Sequence, residues 1–352
     1  MSTSPQPLRV AVIGAGVAGA ACAASLQRAG LRVTLFEKSR GLGGRMATRR
    51  VNWTDALGAA QSAEFDHGAQ FFSARHPRFR ALMTRLAAVG CVAPWRPRVH
   101  ASFPAPGVRP GFVAVPSMPA LCRHLLTGAS VHLEKTVQRL QRGSDGWQVV
   151  VAGGEATGPF DQVMLAMPPA QAAVLLAGHH DGWADALAAV RMDPCWTLMA
   201  VTDDADWPWD AAEPAKGPLA WVMRNDRKPG RSAPPGCATW VAHAGAAWSS
   251  AHLEDDPADV AEALGAALQA LLPWNAALQW QHRSVHRWRY AVPATALADG
   301  RECWWDGDLR LGVCGDFLGG GGVEAAWRSG DELADNVVAW LEAEEEATAQ
   351  PA

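Results

Sequence analysis

The chain has 352 residues, 49% of them hydrophobic, which is enough for two domains with substantial cores. Its formal net charge of −4 offers no basic field for a nucleic acid. Seven scattered cysteines, with no CxxC pair and no histidine at zinc-like spacing, speak against a disulfide framework or a zinc site and point to a reducing, cytoplasmic setting.

From the N-terminus, Val10–Ile13 reads as a short buried strand that breaks into Gly14-Ala15-Gly16-Val17-Ala18-Gly19. An Ala-rich helical pattern follows, closes at Gly30 and gives way to a second strand, Arg32–Phe36, ending in Glu37. This is the dinucleotide fingerprint in its full context. Gly14 permits the tight turn, Gly16 lets backbone N–H groups approach a pyrophosphate, and Gly19 allows close helix–strand packing. The helix N-terminus would face the phosphates, and Glu37 would accept a hydrogen bond from a ribose hydroxyl. A secretory signal does not fit: only Arg9 precedes the apolar run, and glycines interrupt it. Nothing else approaches an uninterrupted membrane span of about 20 residues.

A second glycine loop, Arg40-Gly41-Leu42-Gly43-Gly44-Arg45-Met46-Ala47-Thr48, comes next, followed by Phe65-Asp66-His67-Gly68-Ala69-Gln70-Phe71-Phe72. A nicotinamide domain has no need of such a loop here, whereas a flavin dinucleotide must be held along a greater length. Gly44 lets the backbone approach the cofactor, and Arg45 supplies a forked charge for phosphate or flavin oxygens. Gln70 would touch the ring or the substrate. Further on, Val131–Leu140 and Trp147–Val151 read as a hairpin around Gly143–Gly146. Asp161–Ala166 is a buried-strand run stopped by prolines, while Asp203–Gly217 and Lys228–Gly236 read as exposed loops. Asp259–Leu272 has a helical pattern. The strand Leu309–Cys314 ends in Gly315-Asp316, which places a carboxylate near a ribityl chain. The run Gly319–Gly322 then opens a helix at Val323 whose N-terminus would face the flavin N1/C2 edge. The acids from Glu342 to Glu346 oppose a helix C-terminal dipole, so the tail should fray.

Together these motifs resemble the flavin amine-oxidase superfamily and, more narrowly, the bacterial renalase-like oxidases. The narrower resemblance rests on SRGLGGRMATRR, FDHGAQFFSARHPRF, WVMRNDRKPGR, AHAGAAWSSAHLE, HRWRYAVPA and GDFLGGGGVEAAWRSG, in family order. Gly319–Gly322 is richer in glycine than the family pattern. The resemblance implies an α/β fold: a Rossmann-type FAD-binding domain with an inserted mixed-sheet substrate domain, in an amine-oxidase/p-hydroxybenzoate-hydroxylase-like architecture. The FAD-binding domain would be discontinuous, 1–74, 111–177 and 295–342, with the substrate domain at 75–110 and 178–294 and a flexible acidic tail at 343–352. The cofactor would be FAD, held noncovalently by Gly14, Gly16, Gly19, Glu37, Lys38, Gly44, Arg45, Gln70, Val137, Gly315, Asp316 and Val323. No metal is called for.

An amine must lose its proton before oxidation, and several amine oxidases carry a lysine near N5 for this. The only lysines here are Lys38, Lys135, Lys216 and Lys228, and none reads as a residue over a flavin. A dihydropyridine gives an aromatic pyridinium directly on losing hydride and needs no base. The renalase resemblance implies this case: 2- or 6-dihydro isomers of NAD(P) as substrate, dioxygen as final acceptor, hydrogen peroxide and NAD(P)⁺ as products. Trp288 and Tyr290 share one face of a strand, with Arg289 opposite. Either aromatic would stack on a nicotinamide or simply pack across the sheet. His243 would bond the carboxamide or ribose, or serve as a core histidine. Arg224, Arg227 and Arg231 form either a pyrophosphate group or, more simply, a solvated turn. An amine oxidase, a desaturase or protoporphyrinogen-type oxidase, and a non-catalytic FAD-binding protein are the competing readings.

Overall fold

The computed structural model describes residues 6–100, 110–204, 207–271, 279–295, 297 and 300–349. They form two compact units, one from Met1–Gly44, Leu121–Arg191 and Thr295–Ala352, the other from Arg45–Ala120 and Met192–Ala294.

The first unit is built on a six-stranded sheet in the order Cys303–Asp306, Leu311–Cys314, Gln162–Leu165, Arg9–Ile13, Arg32–Phe36, Ser130–His132. Neighbours pair in parallel except the edge strand Cys303–Asp306, which is antiparallel to Leu311–Cys314. Central strands of such a sheet are covered on both faces, so they cannot alternate polar and apolar residues. Val10, Ala11, Val12, Val163, Met164 and Leu165 accordingly have no exposed surface. The strand expected over Val131–Leu140 is divided. Ser130–His132 joins the main sheet, and Val137–Gly143 opens a separate antiparallel sheet with Gly146–Val151 and Ala156–Phe160. Glu134 lies between them in the left-handed region, at φ 58°, which ends the first strand.

Helix Val17–Arg28 packs on the last helix, Gly322–Ala349. A Cβ on Gly330 would collide with the Ala18 carbonyl, so this contact is backbone against backbone. The last helix continues through the acidic run to Ala349, contrary to the expected fraying. Arg310 pairs with Glu344 at 3.3 Å and offsets part of the unfavourable charge. Residues 350–352 of the tail lie outside the described residues.

The second unit carries an antiparallel five-stranded sheet in the order Ala211–Ala212, Leu219–Arg224, Cys237–Ala244, Met192–Asp203, Trp280–Pro293. One face packs Trp196, Leu198, Ala200, Trp240 and Ala242 with Val260, Leu264 and Leu268 of helix Pro257–Gln269. That helix starts two residues before the expected Asp259, because Asp256 caps the Ala258 N–H at 2.8 Å and Pro257 suits the first turn. The other face packs Met199, Val201 and Val241 with Val51, Ala63 and Phe65 of the hairpin Arg49–Thr54/Ala60–Phe65. This packing groups residues 45–74 with the second unit, whereas the sequence pattern suggested the cofactor domain. Residues 111–120 follow them, through the ladder of Gly111–Ala114 with Val92–Trp95, while 178–191 group with the first unit. The expected exposed loop Asp203–Gly217 instead buries Trp207 and Trp209 and supplies the edge strand Ala211–Ala212. No helix among the described residues is long and apolar enough to cross a membrane.

Gly330→Ala should lower stability by about 1–3 kcal/mol, because the helix pair must separate to admit a methyl group. Gly41→Ala, whose Cβ meets open space, should stay within about 0.5 kcal/mol of the parent. Urea unfolding of both variants checks this.

Candidate functional site

In the first unit the two glycine loops meet. Gly14 turns at φ 107°, donates to the Phe36 carbonyl at 2.8 Å, and has no room for a Cβ beside Ala166. Gly19 is equally closed against the Gly14 carbonyl. A Cβ on Gly16 would meet nothing within 4 Å, so the second glycine of the fingerprint opens onto free space rather than protein. Helix Val17–Arg28 starts there without a side-chain cap. An open glycine beside uncapped first-turn N–H groups fits a phosphate. Gly43 donates to the Ala15 carbonyl at 3.0 Å, and a Cβ on Gly44 would lie 3.4 Å from Gly16 Cα, so the second loop borders the same space.

Glu37 is buried at the end of its strand. Its carboxylate accepts from the N–H of Ala15 at 2.9 Å and of Ser39 at 2.8 Å, one bond to each oxygen. Each oxygen keeps acceptor capacity for a ribose hydroxyl. Lys38 turns to Gln171 at 3.4 Å on the surface and does not join this group. Val137 begins its strand opposite Val151, close after Lys135, whose N–H reaches the Glu37 carbonyl at 2.9 Å. Gly315 donates to Ser329 Oγ at 2.8 Å. Asp316, 3% exposed, accepts from the Gly322 N–H at 3.3 Å at the start of the last helix, next to the buried Val323.

The second unit holds a different constellation, centred on Asp66. This fully buried carboxylate accepts from Thr48 Oγ1 at 2.6 Å, Lys228 Nζ at 3.3 Å and Arg231 Nε at 3.0 Å. Burial alone would raise its pKa, but Lys228 and Arg231 outweigh that and hold it below the usual carboxylate range. Lys228 is not in an exposed loop: it is 2% exposed. Its ammonium also donates to Gln70 Oε1 at 2.8 Å and Asn225 Oδ1 at 3.3 Å, so three oxygens receive its three N–H bonds. Burial pushes it down from 10.5 to about 8 despite Asp66. The solvated-turn reading is overturned for Arg224 and Arg231, whereas Arg227 is exposed. Arg224 has no exposed surface and pairs with Asp226 at 2.8 Å, Arg227 pairs with Asp204 at 3.5 Å, and Arg231 is held by Asp66.

Gln70 is oriented by this cluster. With Oε1 taken by Lys228, its Nε2 donates to the carbonyls of Asp66 at 2.6 Å and Gly68 at 3.3 Å. Both amide hydrogens are then used. His243 Nε2, 3.2 Å from the amide nitrogen, must itself be the donor, to the His67 carbonyl at 3.3 Å. That fixes the tautomer and leaves Nδ1 as an acceptor. Burial, and then the Lys228 charge, push His243 down to about 4, so the ring is neutral at ordinary pH. Arg45 contributes its backbone: the Ala69 N–H reaches the Arg45 carbonyl at 2.8 Å, and Arg45 Nη1 donates to Ala291 O at 3.0 Å.

Trp288 lies on the same sheet, where Cys195 is its register partner, and its indole donates to the His67 carbonyl at 3.0 Å. His67 stacks on Trp288 with centroids 4.9 Å apart and meets His286 edge-on at 4.7 Å. Arg289 points oppositely, to Glu254 at 2.6 Å, as the strand period requires. Tyr290 is half-buried, two residues beyond Trp288, where the register shifts between Asp193 and Cys195. Sequence reading missed Asp66, His67, Asn225 and Lys228 as site residues. The first two stood inside the FDHGAQFF motif, but a buried lysine in a Pro/Gly-rich loop leaves no local signal.

Asp66→Asn would leave Lys228 and Arg231 as buried cations without their carboxylate, at a cost of about 3–5 kcal/mol. The double variant Asp66→Asn/Lys228→Met should recover part of that loss in urea unfolding. No recovery would show that Lys228 and Asp66 are not energetically coupled.

Comparison with known proteins bears on what the two constellations serve. A model of the NAD(P)-binding Rossmann-like domain matches residues 12–86. A curated carotenoid phi-ring synthase from Streptomyces griseus is 35% identical over 115 residues, 32% of this chain, and the match spans only 21% of that protein's length. Among solved structures, cyclohexylamine oxidase from Brevibacterium oxydans IH-35A aligns over 96% of this chain and 100% of its own, with 15% identity and a TM-score of 0.72. A putrescine oxidase bound to putrescine covers 95% of this chain and 100% of its own, with 15% identity and a TM-score of 0.64. Identities this low establish the shared fold alone. The model for flavin-containing amine oxidoreductases matches residues 108–338, most of the chain. The chain belongs to the flavin-containing amine oxidoreductase family and is a flavin-dependent oxidoreductase.

Proposed function

We propose that this protein is a renalase-like oxidase of 2- or 6-dihydro-NAD(P), with FAD as a noncovalent cofactor and dioxygen as the final electron acceptor. The flavin, when bound, supplies hydride acceptance at N5 and electron delivery to dioxygen. Gly14, Gly16, Gly19, Gly44, Glu37, Val137, Gly315, Asp316 and Val323 would hold it, as would Arg45 and Gln70.

One observation carries the substrate assignment: the three N–H bonds of Lys228 end on Gln70, Asp66 and Asn225. An ammonium so held positions the Gln70 amide and offers no lone pair to an amine substrate. His243 supports the same reading. Its Nδ1 is a neutral acceptor suited to the N–H of a carboxamide, and Trp288 presents an aromatic surface on the same sheet. The Tyr290 phenol can donate to, or accept from, the same carboxamide. None of these groups removes a proton, which a dihydropyridine does not require. The amine-oxidase reading draws on Lys228 as well, since a pKa of about 8 leaves a neutral fraction above that pH.

The purified chain should be yellow and release FAD, not FMN, on denaturation. Glu37→Ala should weaken FAD retention by about 1.5–3 kcal/mol through loss of a charge-assisted hydrogen bond, as dialysis of the holoprotein would show. Anaerobic mixing should bleach the flavin rapidly with 2- or 6-dihydro-NAD(P) and slowly with 4-dihydro-NADH or simple monoamines. A hydride on the wrong ring carbon is misplaced by more than about 1 Å, which costs roughly 100-fold. His243→Ala and Tyr290→Phe should each slow reduction about tenfold while FAD stays bound. His243 and His67, at about 4 and about 3, are neutral above those values, so the reduction rate should show no histidine inflection between pH 5 and 7. Faster bleaching by benzylamine or a polyamine than by the isomeric dihydronicotinamides would establish the amine-oxidase reading instead.

A further inference from the structure

The hairpin Arg49–Thr54/Ala60–Phe65 places Arg49 opposite Phe65 and Arg50 opposite Glu64. Residues opposite one another share a side, and neighbours alternate. Phe65, Val51 and Ala63 enter the sheet-facing core, so Arg49 belongs to the inward side of the hairpin and Arg50 to the outward side. Glu64 is bound to Arg50 at 2.7 Å. Arg49 has neither a side-chain hydrogen bond nor an ion pair among the described residues, and it is exposed. The sheet opposite presents a row of polar side chains on strand Trp280–Pro293: His282, Ser284 and His286, in register with Val201, Met199 and Thr197. Trp53, on the inward side of the hairpin, contacts the His282 ring at 5.6 Å. His282 reaches Ser284 Oγ at 3.0 Å. His286 packs edge-on to His67 and Trp288 and has no hydrogen-bond partner among the described residues. The buried Nδ1 of His67 has none either.

This is a patch of donors with no acid among the described residues to neutralise it. Among the described residues Arg49 is the one charge that acts on all three imidazoles, and with burial it lowers their pKa values. The neighbouring carboxylates are engaged elsewhere, Glu64 with Arg50 and Asp66 with Lys228 and Arg231. A free guanidinium forks onto phosphate oxygens, and a neutral imidazole adds one N–H donor. We infer that Arg49 and His286 form a phosphate-binding subsite. Its ligand is the pyrophosphate or the 2′-phosphate of a dinucleotide substrate. The identity of that ligand rests on the proposed function, whereas the affinity for phosphate rests on the patch itself.

Calorimetric titration of the FAD-loaded protein with inorganic pyrophosphate at low ionic strength tests the patch directly. The parent should bind saturably, Arg49→Ala at least tenfold more weakly, and Arg50→Ala within twofold of the parent. His286→Ala should also weaken binding. No binding by the parent, or equal binding by Arg49→Ala, overturns the subsite. Kinetics then identify the source of the phosphate. For the 6-dihydro isomers Arg49→Ala should raise KM about tenfold with kcat retained, and a phosphate-free N-methyl-dihydronicotinamide should be unaffected. An effect on both the NAD and NADP isomers assigns the pyrophosphate, and one on the NADP isomer alone assigns the 2′-phosphate. If no dihydronicotinamide bleaches the flavin, the proposed function fails, while the pyrophosphate titration still decides the subsite.

Discussion

The second unit depends on one buried carboxylate. Asp66 ends the hairpin that covers the five-stranded sheet, and it binds a hydroxyl, an ammonium and a guanidinium at once. A lone carboxylate at that depth would cost several kcal/mol, and so would either cation. Together they are tolerable, and the geometry that makes them so also fixes the segment His67–Gln70. Lys228 grips the Gln70 carbonyl oxygen, the Gln70 amide grips the Asp66 and Gly68 carbonyls, and His243 is left with one tautomer. The charge cluster lies behind the polar groups rather than among those with open valences. Its role is orientation.

The first unit depends on steric exclusion instead. Gly14, Gly19 and Gly330 each stand where a methyl group would meet backbone, so strand, helix and the last helix approach one another more closely than any side chain allows. Gly16 is the exception in the same loop, closed to nothing within 4 Å. The contrast separates glycines that serve packing from the glycine that leaves space for a ligand. Glu37 closes the arrangement by holding the loop through the Ala15 N–H while keeping acceptor capacity on both oxygens.

Electrostatically the histidines of the second unit are uniform: every pKa shift resolved at His67, His243, His282 and His286 is downward, with burial as the largest cause. A sheet face lined with neutral imidazoles and indoles binds through hydrogen bonds and ring contact, not through proton transfer. That character suits a substrate whose oxidation is completed by loss of hydride alone.

The dinucleotide fingerprint was legible from the sequence because every part of it is local. A positive φ at Gly14, a helix start at Val17 and an acid at the end of Arg32–Phe36 are all specified within thirty residues, and the observed bounds match the pattern closely. The opposite facing of Trp288 and Arg289 was legible for the same reason, since strand period is a local property. Lys228 was not. It follows a strand in a loop rich in proline and glycine, a composition that reads as solvent-exposed, and its carboxylate partner lies 162 residues away. Only the antiparallel sheet, the hairpin across it and the Asn225 turn bring those residues together. The strand expected over Val131–Leu140 failed on similar grounds, because its two halves serve different sheets and the break at Glu134 is set by where each half finds hydrogen-bond partners. The sequence by itself determined the cofactor class and the covered parallel sheet, because turn stereochemistry and apolar runs are written residue by residue. The tertiary structure alone decided which charges are buried and which imidazoles remain neutral, because desolvation and pairing depend on neighbours far away in the chain.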